Sequence, residues 1–357
     1  MNILQLTWAE LADEFKIRYG KGKYHATAVY REVYKNGNLD FSHVDEFAKS
    51  QKLAGKIQSV LVLNPGLVIE EQKDKGLVKF ITRLADGLEI ESVIIPMATH
   101  NTLCVSSQVG CRMGCTFCET GRLGLLRNLA VEEIVGQVYT ARFSLGSPIK
   151  NIVFMGMGEP FDNFDNVIQA IRVMNDPRGL DIAHSHITLS TAGRIDGIRK
   201  LGSLNWRRLN LAVSLNAPND RLRSKIMPLN RAVPMDKLKE SLMTYPLKKS
   251  GTFFIEYVLI KGLNDSHEHA LELAGFLKPL PVRLNLIPYN PLSDSQFKAP
   301  SDEDVHRFSG WLEQENVFVR KRWSKGRSVM AGCGQLGNRK SEPKQKFQKY
   351  KTHANTK

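Results

Sequence analysis

The run Cys111-Arg112-Met113-Gly114-Cys115-Thr116-Phe117-Cys118 places three thiols within eight residues, spaced C-x3-C-x2-C with an aromatic before the last. Three thiolates at that spacing can hold three irons of a cubane cluster, which ordinarily takes four cysteine ligands. With no fourth ligand nearby, one iron is left open to bind a substrate or cofactor. An open coordination position marks chemistry, by the logic that separates catalytic from structural zinc. Zinc is the competing reading, but zinc sites usually pair two C-x2-C units or add histidines, and no His occurs within ten residues after Cys118. A disulfide framework fits worse: the 357 residues include five cysteines, and the start Met-Asn-Ile-Leu-Gln does not read as a signal peptide. Buried bystander thiols are the remaining alternative.

Outward from this run, the pattern from about residue 100 alternates strands with helices. Strands are expected at 102–107, 151–155, 186–190, 209–214, 253–260 and 282–287, and helices at 131–144, 164–175, 235–244, 266–277 and 302–315. Such repeats imply an α/β fold with a parallel sheet, either open and doubly wound or curled into a partial barrel. In both, ligands gather at the carboxyl ends of the strands, where the triplet lies. Upstream, residues 1–55 read as short amphipathic helices, one starting at Trp8 with Thr7 as N-cap and another over Ala26 to Tyr34. Leu77–Leu84 and Leu88–Ile95 flank Ala85-Asp86-Gly87 and read as a hairpin.

Composition narrows the class of partner. No apolar run approaches the ~18 residues of a membrane span, and the expected compartment is the cytoplasm, where thiols stay reduced. A formal charge of +14 suits a protein that grips phosphate backbones better than an enzyme of small acids. The charge is concentrated: Arg320-Lys321-Arg322, Lys325 and Arg327 flank Cys333, and Arg339, Lys340, Lys344, Lys346, Lys349, Lys351 and Lys357 face a single acid, Glu342. A solvated tail is the bland reading of the last group.

Met155-Gly-Met-Gly-Glu-Pro160 follows directly on the strand at 151–155, where two glycines let backbone approach a ligand and Glu159 could accept from an α-amino group. Ser190, Ser214-Leu215-Asn216 and Asn290 occupy the same end of later strands. Each alone reads as an ordinary hydrogen-bonding residue; together around one mouth they suggest a ring of contacts to a polar cofactor. Cys104 lies in an apolar strand and reads as structural, whereas Cys333 sits in a glycine-rich, cationic segment where Lys and Arg favour thiolate.

These motifs, in their order, resemble the RlmN/Cfr family of radical S-adenosylmethionine RNA adenine methyltransferases. The likeness is carried by Thr102–Cys118, Gly121 through Leu129, Gly156-Met-Gly-Glu-Pro160, Ser214–Asp220 and Cys333-Gly-Gln-Leu336, over roughly residues 70–340. The resemblance implies a partial (β/α)6 barrel, with an N-terminal accessory module of helices and a small β unit over 1–96, a core over 97–327 and a C-terminal segment over 328–357. It implies a [4Fe-4S] cluster on Cys111, Cys115 and Cys118, with two S-adenosylmethionine molecules used per turnover. Gly158, Glu159, Ser190, Ser214, Leu215, Asn216 and Asn290 would contact that cofactor. Cys333 would carry the methyl group, Cys104 would resolve the enzyme–RNA adduct by a transient disulfide with Cys333, and Glu91 would be the proton acceptor. The implied reaction adds a methyl to C2 of an adenosine in 23S ribosomal RNA, with transfer RNA as a second substrate and a flavodoxin or ferredoxin system as external electron donor. A monomer is expected. Asn216 stands where many members carry His, and Glu119–Leu126 has some likeness to the branch that methylates C8 instead. A non-catalytic RNA-binding redox sensor is the alternative of a different class.

Overall fold

Thr7 accepts a hydrogen bond from the Glu10 N–H while the Glu10 carboxylate accepts from the Thr7 N–H, a reciprocal cap that starts α1 (Trp8–Tyr19). With α2 (Lys23–Arg31) and α3 (Gln51–Val60) it encloses a core of Leu11, Phe15, Val29, Tyr34, Phe41 and Phe47. This helical module is docked: Trp8 lies 3.6 Å under the Arg178 guanidinium, and Gln169 donates to Glu10 at 2.7 Å. The computed structural model of the chain describes residues 1–292 and 294–337, apart from the Arg327 side chain. The basic residues from Arg339 onward therefore lie outside the described residues.

Strands β1 (Leu67–Asp74), β2 (Leu77–Arg83) and β3 (Glu89–Pro96) form an antiparallel meander. Its first turn, Lys75-Gly76, has positive φ at both positions, as two-residue hairpins of right-handed twist require. The hairpin expected around Ala85-Asp86-Gly87 is present as β2 and β3. β3 then pairs antiparallel with β4 (Asn101–Cys104), so the chain on either side of Pro96 shares one sheet.

The thiol run lies between β5 (Gln108–Gly110) and β6 (Leu125–Asn128), which pair with each other; the short α4 (Glu119–Leu123) precedes β6. There follow α5 (Val131–Tyr139), β7 (Ile149–Phe154), α6 (Phe164–Asn175), β8 (Ile187–Thr191), α7 (Ile195–Ser203), β9 (Asn210–Ser214), α8 (Asp220–Ile226) and α9 (Met235–Met243). The series closes with β10 (Phe253–Leu259), α10 (His267–Leu277), β11 (Val282–Pro288), α11 (Asp302–Gln314) and β12 (Val319–Lys321). The ten-stranded sheet runs β1-β2-β3-β4-β7-β8-β9-β10-β11-β12, and every pairing from β4 to β12 is parallel.

Strands in chain order with no reversal leave no topological switch point, which removes the doubly wound alternative. The sheet is also curled. Thr102 and Cys104 of β4, Asn151 and Val153 of β7, Thr188 of β8, Asn210 of β9, Glu256 of β10, Asn285 of β11 and Arg320 of β12 line a single cavity of about 480 Å³. A flat sheet could not bring seven strands to one cavity. The alternation of these positions is the inward face of a barrel-like wall.

Several elements escape the sequence pattern, β5, β6, α4 and α8 among them, and three show why. β12 is too short to show a period. β1 is half-exposed at the sheet edge. α7 carries two glycines, and Gly197 packs so tightly on Phe161 that no side chain would fit there, so tertiary contact overrides helix propensity. Among the described residues, no helix is long and apolar enough to cross a membrane.

Candidate active site and its two sets of thiols

The sequence Val109-Gly110 ends β5, and Gly110 adopts φ +77° against the carbonyl of Gly124. That turn delivers Cys111, Cys115 and Cys118 to the wall of a cavity at the carboxyl end of the strands. The same wall holds Gly156, Gly158, Glu159, Ser190, Ser214 and Asn216. Each strand contributes its last residues, as parallel α/β folds dictate. Gly158 has φ +103° and its backbone lies against Gln108, a position closed to a side chain.

Burial pushes all three thiols above the ordinary cysteine range, Cys111 to about 12, and each of Cys111 and Cys115 is raised further by its neighbouring cysteines. Deprotonation is therefore coupled to metal binding. Among the described residues, no group of three His, Cys, Asp or Glu side chains converges on one ion. The three thiols line one pocket, where they can serve a single group, and three cysteines with no fourth protein ligand among the described residues suit a cubane with one open iron.

Glu159 is buried at the pocket wall and accepts from the N–H groups of Ala192 at 2.7 Å and Phe161 at 3.1 Å. Burial pushes its pKa up to about 7, against these donors and the Thr191 hydroxyl, which pull it down. Arg223 is fully buried behind the pocket. It donates to the carbonyls of Ala192 at 2.6 Å and Leu215 at 3.1 Å and to Asn230 Oδ1 at 2.8 Å, tying the ends of β8 and β9 together.

The other two cysteines meet at a second cavity, which shares Cys118, Met155, Gly156, Glu256, Cys333 and Gly334 with the first. Cys104 ends β4 and Cys333 sits on the turn after β12, and both line this cavity. Burial raises Cys104 to about 12, with Cys333 adding to the shift. Cys333 is raised to about 11, first by burial and then by Glu256, while Arg322 opposes. Its surface is exposed to the cavity, yet protein surrounds it, so the thiol is reachable but desolvated. The expectation that nearby cations favour its thiolate is thus reversed: desolvation outweighs the single arginine in range.

The Cys333 turn is held from several directions. Glu119 N–H donates to the Gly334 carbonyl at 2.7 Å and Thr120 Oγ1 to the Leu336 carbonyl at 2.6 Å, linking it to the thiol triplet's own segment. Asn290 Nδ2 donates to the Cys333 carbonyl at 3.2 Å, and its buried Oδ1 has no partner. Lys79 Nζ donates to the Met330 carbonyl at 3.3 Å and lies 2.8 Å from Glu91 Oε2. Glu91 is buried rather than solvated on its hairpin. Register explains its placement: Cys104 opposes Val93, and Glu91 lies two residues from Val93 on the same face of β3.

The chain matches the model of the radical SAM superfamily over residues 105–274. It is 43% identical over 97% of both chains to a probable dual-specificity RNA methyltransferase RlmN 1 of Protochlamydia amoebophila. It is 40% identical to a dual-specificity RNA methyltransferase RlmN of Syntrophotalea carbinolica, covering 94% of this chain and 89% of that one. A solved radical SAM methyltransferase from Sphaerobacter thermophilus superimposes with a TM-score of 0.87 at 37% identity, covering 94% of this chain and 99% of that chain.

The chain belongs to the RlmN family.

It is a radical SAM methyltransferase, and the cofactors of the RlmN family are a [4Fe-4S] cluster and S-adenosylmethionine. Of the residues expected to meet that cofactor, Gly158, Glu159, Ser190, Ser214 and Asn216 line the pocket. Leu215 and Asn290 do not. Leu215 is wholly buried in the core and its carbonyl is taken by Arg223. Asn216 adopts φ +60°, and its Oδ1 accepts from the Val258 N–H at 2.9 Å. Only its Nδ2, set 3.4 Å from the Met227 sulfur, is free to turn to a ligand. Sequence reading missed Glu256, which lines both cavities, and Lys79, the partner of Glu91. An acid inside the apolar strand Phe253–Leu259 was a usable signal for the first; nothing local marks the second.

Proposed function

We propose that this RlmN-family member methylates C2 of an adenosine in 23S ribosomal RNA, with transfer RNA as a second substrate, by way of a methyl group carried on Cys333. The single observation that carries the reading is the convergence of Cys104 and Cys333 on a cavity that shares a wall with the cysteine triplet. Cys111, Cys115 and Cys118 would hold the cluster. Gly158, Glu159, Ser190 and Ser214, with Asn216 through Nδ2, would orient S-adenosylmethionine, and the unpartnered Oδ1 of Asn290 is a further acceptor beneath the Cys333 turn. When bound, the two cofactors supply the methyl group, an electron and a hydrogen-abstracting radical.

The chain's own residues then divide the labour. Cys333 holds the methyl carbon facing the cavity. Glu91, kept in place by Lys79, accepts the proton of the ring carbon being substituted. The Cys104 thiolate attacks the Cys333 sulfur of the adduct, so that the S–S bond forms as the bond from that sulfur to the methylene carbon breaks. The electron pair stays with the carbon, which takes up a proton and leaves as the methyl group of the base. A buried, neutral Cys104 suits this order, since it stays unreactive until the adduct forms. A flavodoxin or ferredoxin system would supply electrons to a cytoplasmic, monomeric enzyme.

The test is anaerobic reconstitution with RNA fragments, followed by mass spectrometry of the nucleosides. Product 2-methyladenosine is expected. Exclusive 8-methyladenosine would move the chain to the other branch, and cleavage of S-adenosylmethionine with no RNA product by any fragment would sink the methyl-transfer reading.

A further inference from the structure

The larger cavity extends from the two thiols toward the amino-terminal ends of the strands, where His100, Ser185, His186 and Asn210 line it. This rim is polar: Asn151 bridges His100 at 2.8 Å and His186 at 2.7 Å. Full charges enter the lining from one side. Parallel register sets Glu256 of β10 beside Asn285 of β11 and Asn285 beside Arg320 of β12, with Arg322 two residues further on the same face. Lys321, between the two arginines, points the other way, to Ser309 and Glu313 of α11. The lumen lining thus holds two arginines and one carboxylate, and that carboxylate is bonded by Asn285 at 2.7 Å.

Among the described residues neither guanidinium takes part in an ion pair or a side-chain hydrogen bond. Both side chains are exposed, and with Glu256, which Arg322 reaches electrostatically, as the lone carboxylate of the lining, the cavity wall carries an excess of positive charge that attracts an anion. Neither arginine lines the pocket of the cysteine triplet, so the anion is not the carboxylate of S-adenosylmethionine. The volume of about 480 Å³ lies in the range of small-molecule sites and suits one nucleotide. Arg322 is also near enough to Cys333 to influence its thiol electrostatically.

We infer that Arg320 and Arg322 form a phosphate subsite inside the barrel lumen, which grips a phosphate flanking the target adenosine and holds the extruded base beside Cys104 and Cys333. The inference rests on RNA being the substrate. It assigns to β12 the part that base-extruding enzymes need, a charged clamp that offsets the cost of unstacking. Guanidinium is the suited group, because its fork engages two phosphate oxygens at once.

The test compares wild type with Arg320→Gln, Arg322→Gln and Arg320→Lys by fluorescence anisotropy, using an RNA hairpin that presents the target adenosine. Each Gln variant is expected to weaken binding roughly tenfold. Each should also lower the slope of log affinity against log salt by about 0.7. Arg320→Lys should keep the slope. Iron content after reconstitution and the thermal melt should match wild type in both Gln variants, which shows that the fold and the cluster site are intact. A hairpin with one uncharged methylphosphonate linkage beside the adenosine should bind wild type as weakly as the variant and lose nothing further with it. Wild-type affinity and slope in both Gln variants, or equal losses at every linkage, would overturn the subsite alone. A wild-type enzyme that binds no RNA would overturn the substrate reading together with it.

Discussion

The loop of Cys111–Cys118 and the turn of Cys333 both present sulfur to one pair of joined cavities, but they are built in opposite ways. The first is a local construction, with three thiols in eight residues pinned by the β5–β6 pair on either side. The second has one thiol and almost no structure of its own. Its position is set by contacts from remote elements: Thr120, Glu119, Asn290 and Lys79 each bond a carbonyl of the turn, and Gln335 donates to the Pro291 carbonyl at 3.2 Å. Each such bond stabilises by roughly 1 kcal/mol net, so the turn is placed by a sum of small terms. A cluster needs ligands that never move. On the proposed function, Cys333 accepts a methyl, engages a base and then pairs with Cys104, work that suits a tethered turn.

The largest expected effects separate the two regions. Cys115→Ala should remove iron, the visible absorbance of the cluster and all S-adenosylmethionine cleavage together. Cys333→Ala should keep iron and cleavage but transfer no methyl to RNA; methylated RNA from that variant would erase the distinction. Cys104→Ala should methylate Cys333 normally and then accumulate protein covalently bound to RNA, seen as a shifted band under denaturing conditions. Absence of the adduct, with normal turnover, would leave Cys104 as a packing residue.

Smaller effects probe the electrostatics and tethers. Glu159 has a folded-state pKa of about 7, above the usual carboxylate value, so the folded cluster-free protein binds its proton more tightly than the unfolded chain. Its contribution is therefore full below about pH 4.5 and is lost as pH rises toward 7, a change of about 3 kcal/mol. Denaturant titrations of cluster-free protein at pH 4.5 and 8 should show that loss, and Glu159→Gln should flatten it. An equal pH slope in the variant would mean other groups dominate; buried Glu256, raised in the same direction, is the first to examine. Thr120→Val leaves the Leu336 carbonyl without its 2.6 Å donor. It should loosen the turn by about 1–2 kcal/mol, raising proteolytic cleavage near Cys333 without lowering iron content. Lost iron would show that the two regions are one unit.

Much of this architecture is legible from residue pattern. The six long parallel strands, the cap at Thr7 and the hairpin at Ala85–Gly87 follow from periodicity and turn chemistry that act within a few residues. The doubly wound alternative was open because both folds share the same local alternation; only strand order decides between them. Glu91 shows the limit most clearly. On a hairpin it reads as solvated; the β2–β3 register sets Lys79 diagonally beside it, but both are buried, and Lys79 also bonds the Met330 carbonyl of the turn after β12, a contact no local pattern encodes. Arg223, Glu256 and Lys79 were missed for the same reason, since each buried ionisable side chain is bonded by a group distant in sequence, Ala192, Asn285 and Met330 respectively.

The sequence by itself determined the cluster chemistry and the class of fold, because thiol spacing and strand–helix alternation are short-range properties. The tertiary structure decided that Cys104 and Cys333 share one cavity, that Glu91 is buried on the same face of β3 as the residue opposite Cys104, that Arg320 and Arg322 line the lumen with Glu256 as the one carboxylate there, and that Leu215 supports the wall instead of lining it. Those outcomes depend on sheet register and curvature, which place side chains from seven strands on one concave face.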